Sequence, residues 1–186
     1  MTFLVVDPSI RLEKLSYRHA FQIFEAIDQN REFLTPWLPF VEQSRTQQDT
    51  EDFLYMVLNA SGDESDQIYV IWYRDHFAGL LGIKDTDLQN ERTEIGYWLI
   101  EHMTGKGIVT KSVRTLLSYI FNELKLNRVQ IKCGVGNQKS ASIPKRLGFC
   151  YEGTERNGEK HKRGFIDLEV YSLLRNEWLD KKFHFD

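Results

Sequence analysis

A strand-like run, a glycine-rich turn and a long amphipathic helix follow one another over residues 93–124, and this order constrains the fold most. Residues 93–100 read as a β-strand, and the turn occupies residues 102–107. Apolar residues then recur at helical spacings of three and four: Val109, Val113, Leu116, Leu117, Ile120, Phe121 and Leu124. A second strand follows, with alternating apolar side chains at Val129, Ile131, Cys133 and Val135. A helix that joins two strands of one sheet predicts that they are parallel and adjacent.

The N-terminal part of the chain predicts one strand and two helices. Residues 10–15 alternate as a strand, and Ser16 then caps a helix. The apolar face of that helix comprises Ala20, Phe21, Phe24 and Ile27. Residues 35–39, Thr-Pro-Trp-Leu-Pro, end it in an irregular aromatic segment, because proline cannot continue a helix. Thr46 and Asp49 open a second helix, whose apolar stripe comprises Phe53, Leu54, Val57 and Leu58.

The remaining segments complete one domain. Residues 67–73 and 77–84 are β-rich and separated by a short turn, which predicts an antiparallel hairpin. A short helix over residues 140–147 precedes two last strands, around Glu152 and over residues 167–174. The most loop-like stretch, residues 62–66, is too short to divide the chain, so residues 1–186 form a single predicted domain. The fold class is α/β (α+β), a three-layer domain with a mixed central sheet of about seven strands and helices on both faces.

Composition narrows the range of functions. The net charge is -3 and the pI about 6.0, so the chain lacks the overall basic footprint of a nucleic-acid-binding protein. Its two cysteines and five histidines show no metal-ligand spacing. No run approaches the roughly 18 apolar residues of a membrane span, and the N-terminus lacks the regions of a signal peptide. We therefore expect a cytoplasmic protein without a metal, a nucleic-acid partner or a membrane partner.

Gly105 and Gly107 stand where the predicted strand turns into the long helix. A helix N-terminus presents free N–H groups and the positive end of the helix dipole, and both favour a phosphate. Glycines let a diphosphate approach the main chain, and Lys106 adds a positive charge. A Walker loop needs four residues between its glycines, and the dinucleotide motif needs a third glycine where Thr110 stands. The alternative to a phosphate site is a tight strand–helix turn without a ligand.

Gly96, inside the preceding strand, predicts a β-bulge, since glycine within a strand often marks one. A bulge would splay this strand from its parallel neighbour. The gap would expose unpaired N–H and C=O groups, which suit an amide-rich ligand arm such as pantetheine. The alternative is a plain strand glycine that packs beneath an aromatic side chain.

Several motifs together resemble the GNAT acetyltransferases. They are E-I-G-Y-W-L at 94–99, H-M-T-G-K-G-I at 102–108, and N-x-x-S followed by L-G-F-x-x-E-G within 137–153. In that family a Q/R-x-x-G-x-G/A turn holds the diphosphate of acetyl-CoA, and His102 here replaces the usual Gln or Arg. Further motifs resemble the ribosomal-protein serine/alanine N-terminal acetyltransferase (Rim-like) branch. These are Arg-Leu at 11–12, Trp-Leu-Pro at 37–39, Gly-Asn-Gln-Lys-Ser at 136–140 and the ending over residues 167–178.

The resemblance implies acetyl-CoA as cosubstrate, bound by Trp98, Leu99, Ile100, Gly105, Lys106, Gly107, Ile108, Val109, Asn137 and Ser140. Main chain of residues 97–100 would pair with pantetheine and direct an N–H group at the thioester oxygen. Many members of the family use a tyrosine to protonate the departing thiolate, but Pro144 occupies that position here. The Rim-like branch implies Ser140 for this role. Both Asn137 and Ser140 could instead be helix or turn caps.

Glu94 and Glu159 are the two candidates for a general base. Glu94 lies near Gly96 beside the predicted cleft, and Glu159 lies in the final hairpin, where some relatives have an acidic residue. Their alternative roles are a structural hydrogen-bond acceptor for Glu94 and a solvated turn residue for Glu159. Phe33, Trp37 and Tyr97 are expected either to line the acceptor side or to pack in the core.

The main functional prediction is an N-acetyltransferase. It would move an acetyl group from acetyl-CoA to the N-terminal α-amine of a protein, such as a ribosomal protein, by direct attack in a ternary complex. One alternative is a small-amine acetyltransferase for polyamines or aminoglycosides, with an acidic cleft supplied by Asp49, Glu51, Asp52 and residues 63–66. The other is a non-catalytic CoA-binding module, which Pro144 favours. The resemblance also allows a homo-oligomer.

Overall fold

The computed structural model describes residues 3–59 and 67–181, so the loop-like stretch at 62–66 lies outside the described residues. The strands are β1 (Phe3–Asp7), β2 (Ile10–Lys14), β3 (Gln67–Tyr73), β4 (His76–Asp87), β5 (Arg92–Leu99), β6 (Arg128–Gly134), β7 (Cys150–His161) and β8 (Gly164–Leu174). The α-helices are α1 (Ala20–Gln29), α2 (Arg31–Leu34), α3 (Gln47–Asn59), α4 (Ile108–Asn122), α5 (Gln138–Arg146) and α6 (Arg175–Lys181). Short 3-10 turns lie at Tyr17–His19, Pro39–Glu42 and Glu101–Met103.

The described strands form one mixed sheet in the order β1-β2-β3-β4-β5-β6-β8-β7. Strands β5 and β6 are parallel and are joined by α4, as predicted, while the other neighbours are antiparallel. Arg74 and Asp75, both with positive φ, form the predicted hairpin turn between β3 and β4. The fold class is thus confirmed, with eight strands in the described ranges rather than about seven. The additional strand is β1, a short edge strand whose Phe3 and Val5 are exposed.

The apolar face predicted for the first helix is wrong in part. Ser16 caps a 3-10 turn, and α1 begins only at Ala20. The buried side chains of α1 are Ala20, Ile23, Ala26 and Ile27. Phe21, which was predicted to be on this face, is 55% exposed. Ile23 and Ile27, one turn apart, centre the buried stripe, so Phe21 lies to one side of it.

Helix α4 packs its predicted apolar face into the core. Val113, Leu116, Leu117, Ile120 and Phe121 are fully buried. Burial of a Leu or Ile side chain stabilises a protein by about 1.5–3 kcal/mol, so this face fixes α4 firmly on the sheet. The N-terminus of α4 is thereby held at the end of β5.

None of the helices within the described ranges is long and apolar enough to cross a membrane.

Candidate active site

Strands β5 and β6 part soon after they begin to pair. Their parallel register extends only from Arg92↔Arg128 to Glu94↔Gln130. Beyond Glu94, β5 stays paired with β4 and β6 stays paired with β8, so each strand turns away with its own partner. A cleft opens between the two strands, and backbone groups on the β5 edge face it without belonging to the β5–β6 ladder.

The β-bulge predicted at Gly96 is wrong. Gly96 pairs with Gly82 in a part of the β4–β5 register that has no interruption. The predicted splay is nevertheless present, and it follows from the divergent pairing of β5 and β6 rather than from an extra residue. A Cβ atom added to Gly96 would lie 3.8 Å from Lys84 Cε, an ordinary contact, so glycine is not required here by lack of space.

The glycine-rich turn forms an open cradle at the N-terminus of α4. Gly105 and Gly107 have φ angles of 75° and 73°, a left-handed conformation that glycine adopts without strain. Gly107 is the N-cap of α4, and a Cβ atom added to either glycine would have nothing within 4 Å. The first N–H groups of an α-helix lack a partner within the helix, so those of Ile108 and Val109 are available to a ligand. Charge and space both suit a phosphate group here.

A cleft of about 980 Å³ extends from this cradle along β5 and into the gap between the strands. Because successive strand residues point to opposite faces, Glu94 and Tyr97 lie on opposite sides of the sheet. Both line the cleft, which therefore passes through the sheet. The residues predicted to bind the cosubstrate that line it are Trp98, Leu99, Gly105, Gly107, Ile108, Val109, Asn137 and Ser140.

The other two predicted binding residues have contacts of their own. The backbone N–H of Ile100 donates to the Ala78 carbonyl at 2.9 Å. The ammonium group of Lys106 lies 3.8 Å from Met103 Sδ and 5.7 Å from the centre of the Tyr73 ring. The side chain of Lys106 is therefore directed at Tyr73.

Six basic residues that the sequence analysis did not single out line the cleft, and three of them, Lys111, Arg114 and Arg146, lie on α4 or contact its first turn. Arg146 Nη1 donates to Thr110 Oγ1 at 2.9 Å and so connects α5 to the first turn of α4. Lys111 and Arg114 lie three residues apart near the start of α4, so the sequence alone could have predicted basic side chains beside the turn. Arg146 belongs to a different helix, and only the tertiary fold brings it to this place.

Asn137 is the N-cap of α5, and its side-chain oxygen accepts the backbone N–H of Ser140 at 3.1 Å. The cap role weighed for Asn137 is therefore present. The cap role weighed for Ser140 is wrong, because Ser140 lies in the first turn of α5, three residues after the cap. Its hydroxyl is left for other contacts.

The Ser140 hydroxyl lies between the Cys133 thiol and the Tyr97 hydroxyl on the α5 side of the sheet, and it donates to the Tyr97 oxygen. Ser140 Oγ is 3.2 Å from Cys133 Sγ and 3.4 Å from the Tyr97 hydroxyl oxygen. Burial raises the pKa of the Tyr97 phenol well above its usual value, and nearby Cys133 adds to this effect. Burial likewise raises the pKa of the Cys133 thiol. Both neighbours of Ser140 are thus protonated at neutral pH.

Glu94 lies on the opposite face, at the point where β5 and β6 part. Its carboxylate is 2.9 Å from Lys84 Nζ, accepts a hydrogen bond from Gln130 Nε2 at 3.0 Å, and is 4.0 Å from Lys132 Nζ. Burial lowers the pKa of Lys84, but the Glu94 carboxylate and more distant acidic groups outweigh this and raise it overall. Glu94 therefore has the structural acceptor role that was considered for it.

Glu159 lines the same cleft from β7. A register shift in the β7–β8 pairing lies just before it, and Glu159 Oε2 is 2.8 Å from His161 Nε2. Phe33 and Trp37 also line the cleft, which is one of the two positions considered for them. Tyr97 lines it too, and its hydroxyl is directed at Ser140 on α5.

No group of three or more His, Cys, Asp and Glu side chains within residues 3–59 and 67–181 is arranged to hold a metal ion. The arrangement instead offers a phosphate cradle and a hydroxyl on one side of the sheet. Carboxylates lie on the other side, and a cleft connects the two. Such a site can join a phosphate-bearing donor to an acceptor that enters from the opposite face.

Comparisons with known proteins agree with this geometry. A family model described as the acetyltransferase (GNAT) domain matches residues 9–150. "Putative ribosomal N-acetyltransferase YdaF" of Bacillus subtilis (strain 168) is 36% identical over 182 residues, 95% of this chain and 97% of that protein. The ribosomal-protein-serine acetyltransferase of Escherichia coli (strain K12) is 25% identical over 171 residues, 91% of this chain and 94% of that protein.

A solved structure extends the likeness to three dimensions. The microcin self-immunity acetyltransferase MccE, in complex with acetyl-CoA and AMP, has a TM-score of 0.87 and 26% identity, and the match covers 93% of this chain and 96% of that one. The resemblance inferred from the motifs is therefore confirmed, and this chain belongs to the GNAT family of acetyltransferases.

Proposed function

We propose that the chain transfers an acetyl group from acetyl-CoA to the N-terminal α-amine of a protein, with ribosomal proteins as the acceptor class. The observation that carries the proposal is the cleft through the sheet, lined by Ser140 on one face and by Glu159 on the other. The printed names of the Bacillus and Escherichia relatives support the acceptor class. The acetyl-CoA complex of the MccE structure supports the cosubstrate.

The cradle fits the diphosphate of acetyl-CoA. Space beside Gly105 and Gly107 admits phosphate oxygens, and the main chain of Lys106, Ile108 and Val109 would donate N–H groups to them. Arg114 and Arg146 would add positive charge at this end of the cleft, whereas the ammonium group of Lys111 is already paired with the Asp7 carboxylate at 2.7 Å. The β5 edge from Tyr97 to Leu99, including Trp98, would pair with the pantetheine amides, whereas the N–H of Ile100 already donates to Ala78. Asn137 would contact the same arm from α5.

The transfer requires a neutral amine, a stabilised thioester oxygen and a proton for the departing thiolate. A backbone N–H of the β5 edge would donate to the thioester oxygen as negative charge develops there. Ser140 would give its hydroxyl proton to the sulfur as the C–S bond breaks. Glu159 or Glu94 would take the proton that the amine loses, directly or through water.

The cost of neutralising the acceptor amine supports an α-amine as the acceptor class. An α-amine has a pKa of about 7.7–8.0, so its neutralisation at pH 7 costs about 1 kcal/mol. A lysine amine, with a pKa of about 10.4, costs about 4.6 kcal/mol by the same arithmetic. The difference corresponds to a few hundredfold in neutral amine, which favours an α-amine in a site without a strong base.

The proposal is tested by kcat/KM on three matched acceptors, with CoA release and mass spectrometry as readouts. The acceptors are a peptide that begins with Ser or Ala, the same peptide with a blocked N-terminus and one lysine, and spermidine. We expect the free α-amine peptide to be the best acceptor, acetylated at its first residue. A preference for the blocked lysine peptide would refute the proposal, and a preference for spermidine would favour a small-amine acetyltransferase.

A further inference from the structure

Pro144 changes the hydrogen bonding of helix α5 at the residue proposed as the acid. In an α-helix, the carbonyl of Ser140 would accept the N–H of the residue four positions later, which is Pro144. Proline has no N–H, and its ring crowds the carbonyl four residues before it. The Ser140 carbonyl therefore lacks its ordinary helical donor.

The hydroxyl of Tyr97 takes the place of that donor. Tyr97 Oη donates to the Ser140 carbonyl oxygen at 3.0 Å. Tyr97 lies on β5, whereas Ser140 lies on the helix that follows β6, so this hydrogen bond spans the cleft between the diverging strands. Burial keeps the phenol protonated far above neutral pH, so the donor is present wherever the enzyme works.

Each polar group of Ser140 then has a partner, and Tyr97 contacts two of them. Asn137 accepts its backbone N–H at 3.1 Å, and Tyr97 donates to its carbonyl. The hydroxyl lies between Cys133 Sγ at 3.2 Å and Tyr97 Oη at 3.4 Å. A hydroxyl on a backbone fixed in this way has few orientations open to it, which favours delivery of its proton to one place.

We propose that Tyr97 is a positioning residue for Ser140, and that Pro144 makes this possible because it frees the Ser140 carbonyl. The inference rests on the proposed role of Ser140 as the acid. Pro144, which occupies the position of the usual catalytic tyrosine, then has a function in the site. Because Pro144 leaves the Ser140 carbonyl without a helical donor, Tyr97 on β5 can bind that carbonyl and orient Ser140, the proposed acid.

A double-mutant cycle of Tyr97→Phe and Ser140→Ala tests this, measured with any acceptor that the wild-type enzyme turns over. If Tyr97 acts through Ser140, Tyr97→Phe lowers kcat by about tenfold, the effect of one hydrogen bond. In the Ser140→Ala background the same change costs less than about twofold. Acetyl-CoA affinity, measured by calorimetry, stays within about threefold in all variants, which also shows that they fold. Tyr151→Phe, which removes an exposed hydroxyl bonded to Thr154, is the matched control and leaves kcat unchanged.

Pro144→Ala provides a second arm. Alanine restores an N–H that competes for the Ser140 carbonyl, so kcat falls and Tyr97→Phe costs less in this background than in the wild type. Equal losses from Tyr97→Phe with and without Ser140 would overturn the inference, as would a Ser140→Ala variant with wild-type kcat. The acceptor preference of the wild-type enzyme, on which the proposed function depends, is read separately from the acceptor panel.

Discussion

The carboxylate of Glu94 and the ammonium group of Lys84 lie 2.9 Å apart on neighbouring strands, at the point where β5 and β6 diverge. Gln130 binds the second carboxylate oxygen of Glu94 from β6. Lys132 continues the series to Glu155 on β7, at 2.8 Å. These side chains come from β4, β5, β6 and β7, and the row passes over β8, which lies between β6 and β7 in the sheet. We infer that Glu94 holds β4, β5 and β6 together at the closed end of the cleft. Of the two candidate general bases, Glu159 is then the better placed to accept a proton from the amine.

Glu94→Gln is expected to destabilise the fold. The change leaves Lys84 without its carboxylate partner, and loss of a hydrogen bond to a charged group costs about 1.5–3 kcal/mol. Urea denaturation at pH 7 measures the difference. Glu155→Gln is the matched control, because its carboxylate pairs with Lys132 at the more exposed end of the same row, and such pairs contribute about 0–1 kcal/mol. Equal effects of the two changes would contradict a special role for Glu94 at the base of the cleft.

Glu159→Gln is expected to lower kcat/KM for an α-amine peptide by about a hundredfold at pH 7, the lower range for loss of a general base. The loss should shrink at pH 9, because an α-amine with a pKa of about 7.7–8.0 is then already neutral. Initial rates over pH 6.5–9.5 measure this. A loss of the same size at every pH would indicate that Glu159 only shapes the cleft. Glu94→Gln, assayed in parallel, should show no such pH-dependent loss.

Gly107→Glu is expected to abolish acetyl-CoA binding. A carboxylate about 5 Å from a phosphate charge costs about 3 kcal/mol at an effective dielectric constant of about 20, which is more than a hundredfold in affinity. Gly153→Glu is the control, because Gly153 also has a positive φ, and a Cβ added there also meets nothing within 4 Å. Calorimetry should find normal affinity in the control. Unchanged affinity in Gly107→Glu would remove the cradle from the proposed site.

The central unit of the fold was predictable because its signals are local. The helical spacing of Val113, Leu117 and Ile120 and the alternation around Ile131 place a parallel pair of strands with little ambiguity. The cradle followed from Gly105 and Gly107 for the same reason. Its chemistry depends on backbone groups at one helix end, and these are adjacent in the sequence.

The contacts that complete the site were not predictable, because they join distant segments. Tyr97 and Ser140 are 43 residues apart, and so are not related by any local period. The Gly96 bulge was predicted from a residue preference, whereas the splay arises from which strand pairs with which. Arg146 reaches Thr110 only after α5 has docked on α4. Phe21 was misplaced because the 3-10 turn before α1, which sets where that helix begins, leaves little trace in the sequence.

The last prediction concerns His19, which lies just before α1 and is 2% exposed. Its Nδ1 accepts the backbone N–H of Ser16 at 3.1 Å, and its ring lies against Trp72, in a row of aromatic contacts that reaches Trp98 on β5 through Phe77. Burial lowers the pKa of His19 below the usual value of 6.5, and the charge of Arg18 lowers it further.

Well above pH 6.5 both the folded and the unfolded chain carry a neutral His19, so its contribution to stability is fully present. As the pH falls below 6.5, the unfolded chain binds a proton that the folded protein resists, and stability is lost until the lowered folded pKa is reached. The slope from this group is at most about 1.4 kcal/mol per pH unit. We expect His19→Gln, whose side chain can still accept the Ser16 N–H, to flatten the fall in unfolding free energy between pH 6.5 and 5. The exposed His76→Gln variant is the matched control for loss of a surface histidine, and a His19→Gln slope equal to that of the wild type would show that the acid sensitivity arises elsewhere.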